Sequence, residues 1–175
     1  KKHKDKVKWY KISAYQNLSE KFIEKHKNLV DWYKISIYQK LSEKFIKKHK
    51  LSILDTNWLY KTDKFKFDYI KQNTEYEIVD NHVIAYKSVR LDSYSVFNFQ
   101  YKYEIGKTYE STCDCTITEN SFGLSAWTKE KTLDYYSKGK LLKVKIHISD
   151  LGVIVHSGGK IRCRKLTVIE DVTEN

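Results

Sequence analysis

The chain contains no proline and no methionine in 175 residues, and only three arginines, three cysteines and six glycines. Each scarcity closes off a class of protein. The glycines stand singly or at a turn and do not form a phosphate loop. Cys113, Cys115 and Cys163 leave one thiol over even if a bridge forms, and they lack the Cys-x-x-Cys turn and the fourth ligand that a zinc site needs. Reduced thiols in an intracellular protein are the expectation, with no metal and no resident cofactor. No apolar run approaches the roughly 18 residues needed to span a bilayer, and no apolar stretch behind Lys1-Lys2-His3-Lys4 makes a signal peptide. With methionine absent and the first residues falling inside a repeat unit, the chain reads as a piece of a longer protein. With 41% hydrophobic residues, it can bury a small repeat array joined to one compact domain.

Charge is abundant instead. The net charge is +11, of which +10 falls on residues 1–75 and +1 on the remainder. A basic stripe of this kind attracts phosphates without reading sequence, so nucleic acid is a candidate partner of the Lys-rich segment, with salt-sensitive affinity. The competing explanation is compositional: Lys, Asn, Tyr and Ile are plentiful where Arg and Pro are scarce, as in translation of an AT-rich genome.

The N-terminal third repeats itself after 23 residues, Val7 to Ile23 being restated as Val30 to Ile46 with the shared string Trp-Tyr-Lys-Ile-Ser-x-Tyr-Gln-x-Leu-Ser-Glu-Lys-Phe-Ile. So short a unit cannot bury its own apolar face and must stack on a neighbour. Ser19 and Ser42 are placed as N-caps, each followed by a glutamate, which predicts helices from Ser19 to about Lys27 and from Ser42 to about Lys50. The other half of the unit is ambiguous: Val30 and Trp32 alternate as in a strand, whereas Trp32, Ile35, Ser36 and Gln39 fit helical spacing. Unit length tips the expectation to one strand plus one short helix, a leucine-rich-repeat-like solenoid. Tyr10, Tyr15, Tyr33 and Tyr38 then become the exposed, partner-binding face. His3, His26 and His49 keep the repeat register, but stacked units hold them too far apart to share a metal, so packed helix-end histidines are expected.

The expected domains are a repeat array over 1–60 with two clear units and a degenerate cap, a connector or capping strand over 61–75, and a small, mostly antiparallel α+β domain over 76–172. Strands are predicted at Tyr76–Ile78, Val83–Arg90, Tyr101–Tyr109, Ser111–Thr118, Leu141–Ile148, Leu151–Val155 and Lys160–Ile169, with a helix capped by Thr128 and stopped near Gly139. His147 and His156 frame Asp150, a pairing that suggests a general base, but no motif supplies a nucleophile.

The repeated string resembles repeats in uncharacterised proteins of giant DNA viruses of the mimivirus type. That resemblance covers the first third of the chain and implies provenance, a viral protein of the host cytoplasm or the virion, and no activity. The later features Tyr86-Lys87-x-Val-Arg90, Ser121-Phe-Gly123-Leu and Gly159-Lys160-Ile-Arg162 are similar to small domains in phage and giant-virus proteins, and faintly to an ADP-ribosyltransferase core. The latter resemblance implies that Arg90 and Ser121 or Ser125 handle a nicotinamide nucleotide. It stops at the late strand, Lys160-Ile-Arg-Cys-Arg-Lys165, which has no carboxylate to stabilise an oxocarbenium-like transition state. The expected function is a non-enzymatic interaction protein that binds a protein partner through its repeat face. The alternative is a nucleotide-binding or degenerate transferase-like C-terminal domain, with Arg90, Lys160, Arg162 and Arg164 on phosphates, Ser121 beside them, and Trp127 or Tyr86 stacking on the base.

Overall fold

The structure is a computed structural model that describes residues 7–51, 58–155 and 159–174. Each repeat unit is a pair of short helices: α1 (Trp9–Tyr15) and α2 (Glu20–Lys25), then α3 (Trp32–Tyr38) and α4 (Glu43–Lys48). The expected strand/helix solenoid is therefore corrected. The helical spacing of Trp32, Ile35 and Ser36 prevails over the alternation of Val30 and Trp32, because a helix puts Ile35 and Ser36 on the face that α1 and α3 bury against each other. Ser19 and Ser42 do cap, each accepting a hydrogen bond from the amide three residues on, Phe22 or Phe45, at 3.2 Å.

The repeat interval is written in the contacts between units. The Gln39 amide donates to the carbonyls of Ser13 and Gln16, both at 2.8 Å, and accepts from the Leu18 amide at 2.9 Å. The Ser42 amide donates to Glu20, and His49 pairs with Glu24 at 2.7 Å. Gln39 is buried while its counterpart Gln16, which has no described unit in front of it, is exposed. The small core here is Ile23, Val30, Ile35, Leu41, Phe45 and Ile46. His26 and His49 close ring trios with Trp9 and Phe22 and with Trp32 and Phe45, at centroid distances of 4.4–5.3 Å. His3, and residues 52–57 of the expected degenerate cap, lie outside the described residues.

Residues 61–75 are not a strand. Thr62 caps α5 (Asp63–Asn73), whose Ile70, with Trp58 from a 3-10 turn (Trp58–Tyr60), joins the larger core. The fully buried Lys66 reaches across the same interface, and its ammonium donates to the carbonyls of Ile148, Ser149 and Leu151 at 3.1–3.3 Å. A buried cation is tolerable only with such satisfaction.

The remainder is an α+β unit built on one eight-stranded antiparallel sheet. Its strands are β1 (Ile78–Val79), β2 (His82–Val89), β3 (Thr108–Glu110), β4 (Leu124–Trp127), β5 (Lys140–His147), β6 (Leu151–Val155), β7 (Lys160–Cys163) and β8 (Lys165–Asp171), with helix α6 (Lys129–Tyr135) after β4. The order is β3-β8-β5-β2-β4-β7-β6, with β1 beside β2. The strand expectations change in four places. Most of 101–109 and all of 111–118 are loop, β4 arises where none was expected, and the predicted strand from Lys160 to Ile169 is two strands parted at Arg164. The reason at Arg164 is visible: its amide turns to the Asp150 carbonyl and its side chain to the Asp150 carboxylate, so β7 pairs with β4 and β6 while β8 passes to β5.

Candidate functional site

Two central strands run apart. β2 pairs with β5 along its whole length, but with β4 it shares a single pair, Tyr86 opposite Trp127, and beyond that pair the two separate. A cavity of about 490 Å³ opens at the split, between these strands, the start of β7 and the loops 95–103 and 119–123. Lys87 stands in the gap. It is buried, its ammonium donates to the Ser125 carbonyl at 2.9 Å, and it sits 4.8 Å from the Tyr103 ring centroid and 5.7 Å from that of Trp127. Desolvation, with Lys160 nearby, holds its pKa down at about 8.

Lys160 enters from β7. Its side chain is also buried, donating to the Glu119 carbonyl at 2.5 Å and pairing with the Glu119 carboxylate at 3.2 Å, and its nitrogen lies 5.4 Å from the Trp127 centroid. Trp127 thus has a lysine nitrogen near it from each of two strands, and Tyr135 of α6 stacks on it at 4.6 Å. Phe97 and Phe122, more than 70% exposed, stand at the rim. Ser95, Asn98, Ser121 and Ser125 add uncharged polar groups to the lining.

Of the residues that sequence reasoning places in a nucleotide site, Trp127, Lys160, Ser121 and its alternative Ser125 meet in this cavity, and Tyr86, Arg90, Arg162 and Arg164 do not. Arg162 is fully buried beneath it, donating to the carbonyls of Asp114 (3.0 Å), Thr116 (2.9 Å), Thr118 (2.5 Å) and Glu119 (3.3 Å). It is a brace for the loop, with both terminal guanidinium nitrogens committed to main chain. Gly123 lets this happen: its φ is +124°, and a Cβ there would lie 2.7 Å from Arg162 Cγ. Arg164 pairs with Asp150 at 2.6 Å, in a groove with Glu110 and Lys165. Arg90 pairs with Asp92 at 2.8 Å and lies 5.0 Å from the Phe99 ring centroid. Tyr86 sits on β2 next to Lys87, and alternation sends its side chain to the opposite face.

Sequence reasoning misses Lys87, Tyr103 and Tyr101. A signal for Lys87 exists: it is the one cation in the otherwise apolar stretch Val83-Ile-Ala-Tyr-Lys-Ser-Val89. No signal exists for Tyr101 and Tyr103, which reach the cavity from an irregular loop. The proposed His–Asp pairing is not made. The His147 ring nitrogen meets the Ser149 hydroxyl at 2.7 Å, its ring packs edge-on to His82, and Asp150 belongs to Arg164, while His156 lies outside the described residues. Among the described residues no group of three or more His, Cys, Asp or Glu side chains converges as a metal site. The three cysteines are free thiols, with Cys113 and Cys115 in the loop that Arg162 braces and Cys163 in the core.

The four repeat tyrosines Tyr10, Tyr15, Tyr33 and Tyr38 are exposed, and the Lys34 ammonium lies between the rings of Tyr33 and Tyr38, 5.4 and 5.6 Å from their centroids. Among the described residues no helix is long and apolar enough to cross a membrane. No protein-family model, curated protein or solved structure matches this chain.

Proposed function

We propose that the C-terminal α+β unit binds a small planar ligand with an anionic group, of the nucleotide class, in the cavity between β2 and β4. The observation that carries this reading is the flanking of one tryptophan by two buried lysines, Lys87 and Lys160, in a cavity whose one carboxylate, Glu119, already pairs with Lys160. An aromatic ring supplies a stacking face worth about 1–3 kcal/mol per base, and the two cations favour a phosphate. Among the described residues the carboxylate lining the cavity is that of Glu119, which pairs with Lys160, and this supports ligand binding as the reading. Calorimetry and thermal denaturation of the full chain with ADP, ADP-ribose and NAD test it. Binding at a hundred times Kd adds about 2.7 kcal/mol to stability. Trp127→Leu and Lys160→Met weaken that gain, and Arg164→Ala leaves it intact. No stabilisation by any of the three ligands overturns the reading.

A second reading rests on a separate observation, the exposure of two tyrosines in each repeat unit among lysines. Here the repeats dock a protein partner in the host cytoplasm of a giant-virus infection. Interaction mapping with Tyr15→Ala and Tyr38→Ala tests it. A partner lost in these variants and retained at high salt supports a protein contact, whereas steep loss with salt points to nucleic acid on the basic repeats.

A further inference from the structure

We propose that Lys87 is a nucleophilic amine that captures the carbonyl carbon of a small anionic aldehyde bound in the β2–β4 cavity, forming an imine. The inference rests on the reading of that cavity as a ligand site and adds to it the chemical class of the ligand. Four features of the geometry converge on it. Lys87 is more than nine-tenths buried yet lines the cavity. Among the described residues no carboxylate pairs with it, and its hydrogen-bond acceptor is the Ser125 carbonyl at 2.9 Å. It is walled by the Tyr103 and Trp127 rings. A second cation, Lys160, stands on the other flank of Trp127.

A desolvated lysine beside another cation is the arrangement that frees an amine lone pair at neutral pH. Lys160, held by Glu119, stays in place to attract the anionic group. The reaction balances with no other reactant. The amine lone pair adds to the carbonyl carbon, the carbonyl oxygen leaves as water with the two amine hydrogens, and a C=N bond replaces C=O. On protonation the imine regains one N–H, and the Ser125 carbonyl is already placed to accept it. The aromatic walls exclude the bulk water that would hydrolyse the product.

The fraction of free amine sets the size of the effect. At pH 7.5 a surface lysine is about 0.1% deprotonated, whereas a lysine with a pKa near 8 is about a quarter deprotonated. Even allowing for the weaker nucleophile, Lys87 is expected to react about tenfold or more faster than an average exposed lysine. The test treats the full chain with equimolar pyridoxal phosphate, reduces with borohydride and maps the adduct by peptide mass spectrometry. Pyridoxine phosphate, which lacks the aldehyde, is titrated in parallel.

The expected result is about tenfold or more adduct on the peptide containing Lys87 than on an average exposed lysine, an excess suppressed by excess pyridoxine phosphate and absent in Lys87→Arg, a variant that keeps the charge and whose folding circular dichroism verifies. Adducts spread over the surface lysines in proportion to their exposure overturn the proposal. If pyridoxine phosphate binds and Lys87 remains unmodified, the imine is refuted while the ligand-site reading stands. If neither compound binds and the nucleotides also fail, both fall.

Discussion

Replacing Lys66 by methionine isolates one buried charge and gives its stability a pH signature. The side chain is fully buried, and desolvation, opposed by Asp63 and Asp150 and assisted by Arg164, brings its pKa down from 10.5 to about 8. Below pH 7 both the folded and the unfolded chain carry the proton, so the burial cost is constant there. Between the two pKa values the unfolded chain holds more protons than the folded one, and stability rises with pH. From pH 7 to 9 the folded-state occupancy falls from about 0.9 to about 0.1 while the unfolded chain remains almost fully protonated, and integration gives a gain of about 1.4 kcal/mol. Lys66→Met abolishes that gain, and it also orphans the carbonyls of Ile148, Ser149 and Leu151, which costs about 1–3 kcal/mol at pH 7. Urea unfolding of both proteins at pH 7 and pH 9 yields the quantity of interest, the difference between their two pH increments. Other shifted groups, including Cys163 and Lys87, cancel in that difference. A difference near 1.4 kcal/mol is expected, and one below about 0.4 kcal/mol refutes the account of Lys66 as a cation buried at a cost.

Gln39→Ala removes three hydrogen bonds to the preceding unit and is expected to cost about 2–3 kcal/mol in urea unfolding, whereas the exposed Gln16→Ala stays within about 0.5 kcal/mol; equal effects exclude the inter-unit clamp. Arg162→Met strips four carbonyls of a buried donor and is expected to destabilise by about 3–5 kcal/mol, with faster amide exchange over residues 114–119 rather than at the repeats. Gly123→Ala, at φ +124° and against Arg162 Cγ, is expected to cost about 1–3 kcal/mol by the same assay, and a neutral result rules out the strain assigned to that turn.

Local chemistry is what the chain states openly. The caps at Ser19, Ser42 and Thr128, the long strands β2 and β5, and the 23-residue interval are all legible in the residue string, since each depends on neighbours a few residues away or on repetition of a motif. The strand expectation in the repeats fails because Trp32 satisfies two periodicities, alternating with Val30 as in a strand and spaced with Ile35 and Ser36 as in a helix, and the choice belongs to the helix packed across from it. Helix α5 misleads for a related reason. Its Phe65, Phe67 and Tyr69 alternate like a strand, while the burial of Lys66 and Ile70, four residues apart, is decided by the sheet beneath.

The candidate site divides in the same way. Trp127, Lys160 and Ser121 are legible as residue types with the right chemistry, and Lys87 stands out as a cation within an apolar strand. That Arg162 is a loop brace, that Arg90 and Arg164 are committed to Asp92 and Asp150, and that β2 and β4 part after one pair to leave a cavity are decided only by the tertiary structure. By itself the sequence determined the capped helices, the repeat interval and the basic N-terminal third, because these follow from short-range hydrogen bonding and composition. The assignment of each arginine and lysine to solvent, carboxylate, carbonyl or cavity was left to the fold, because a long cationic side chain takes whichever partner distant segments bring within its reach.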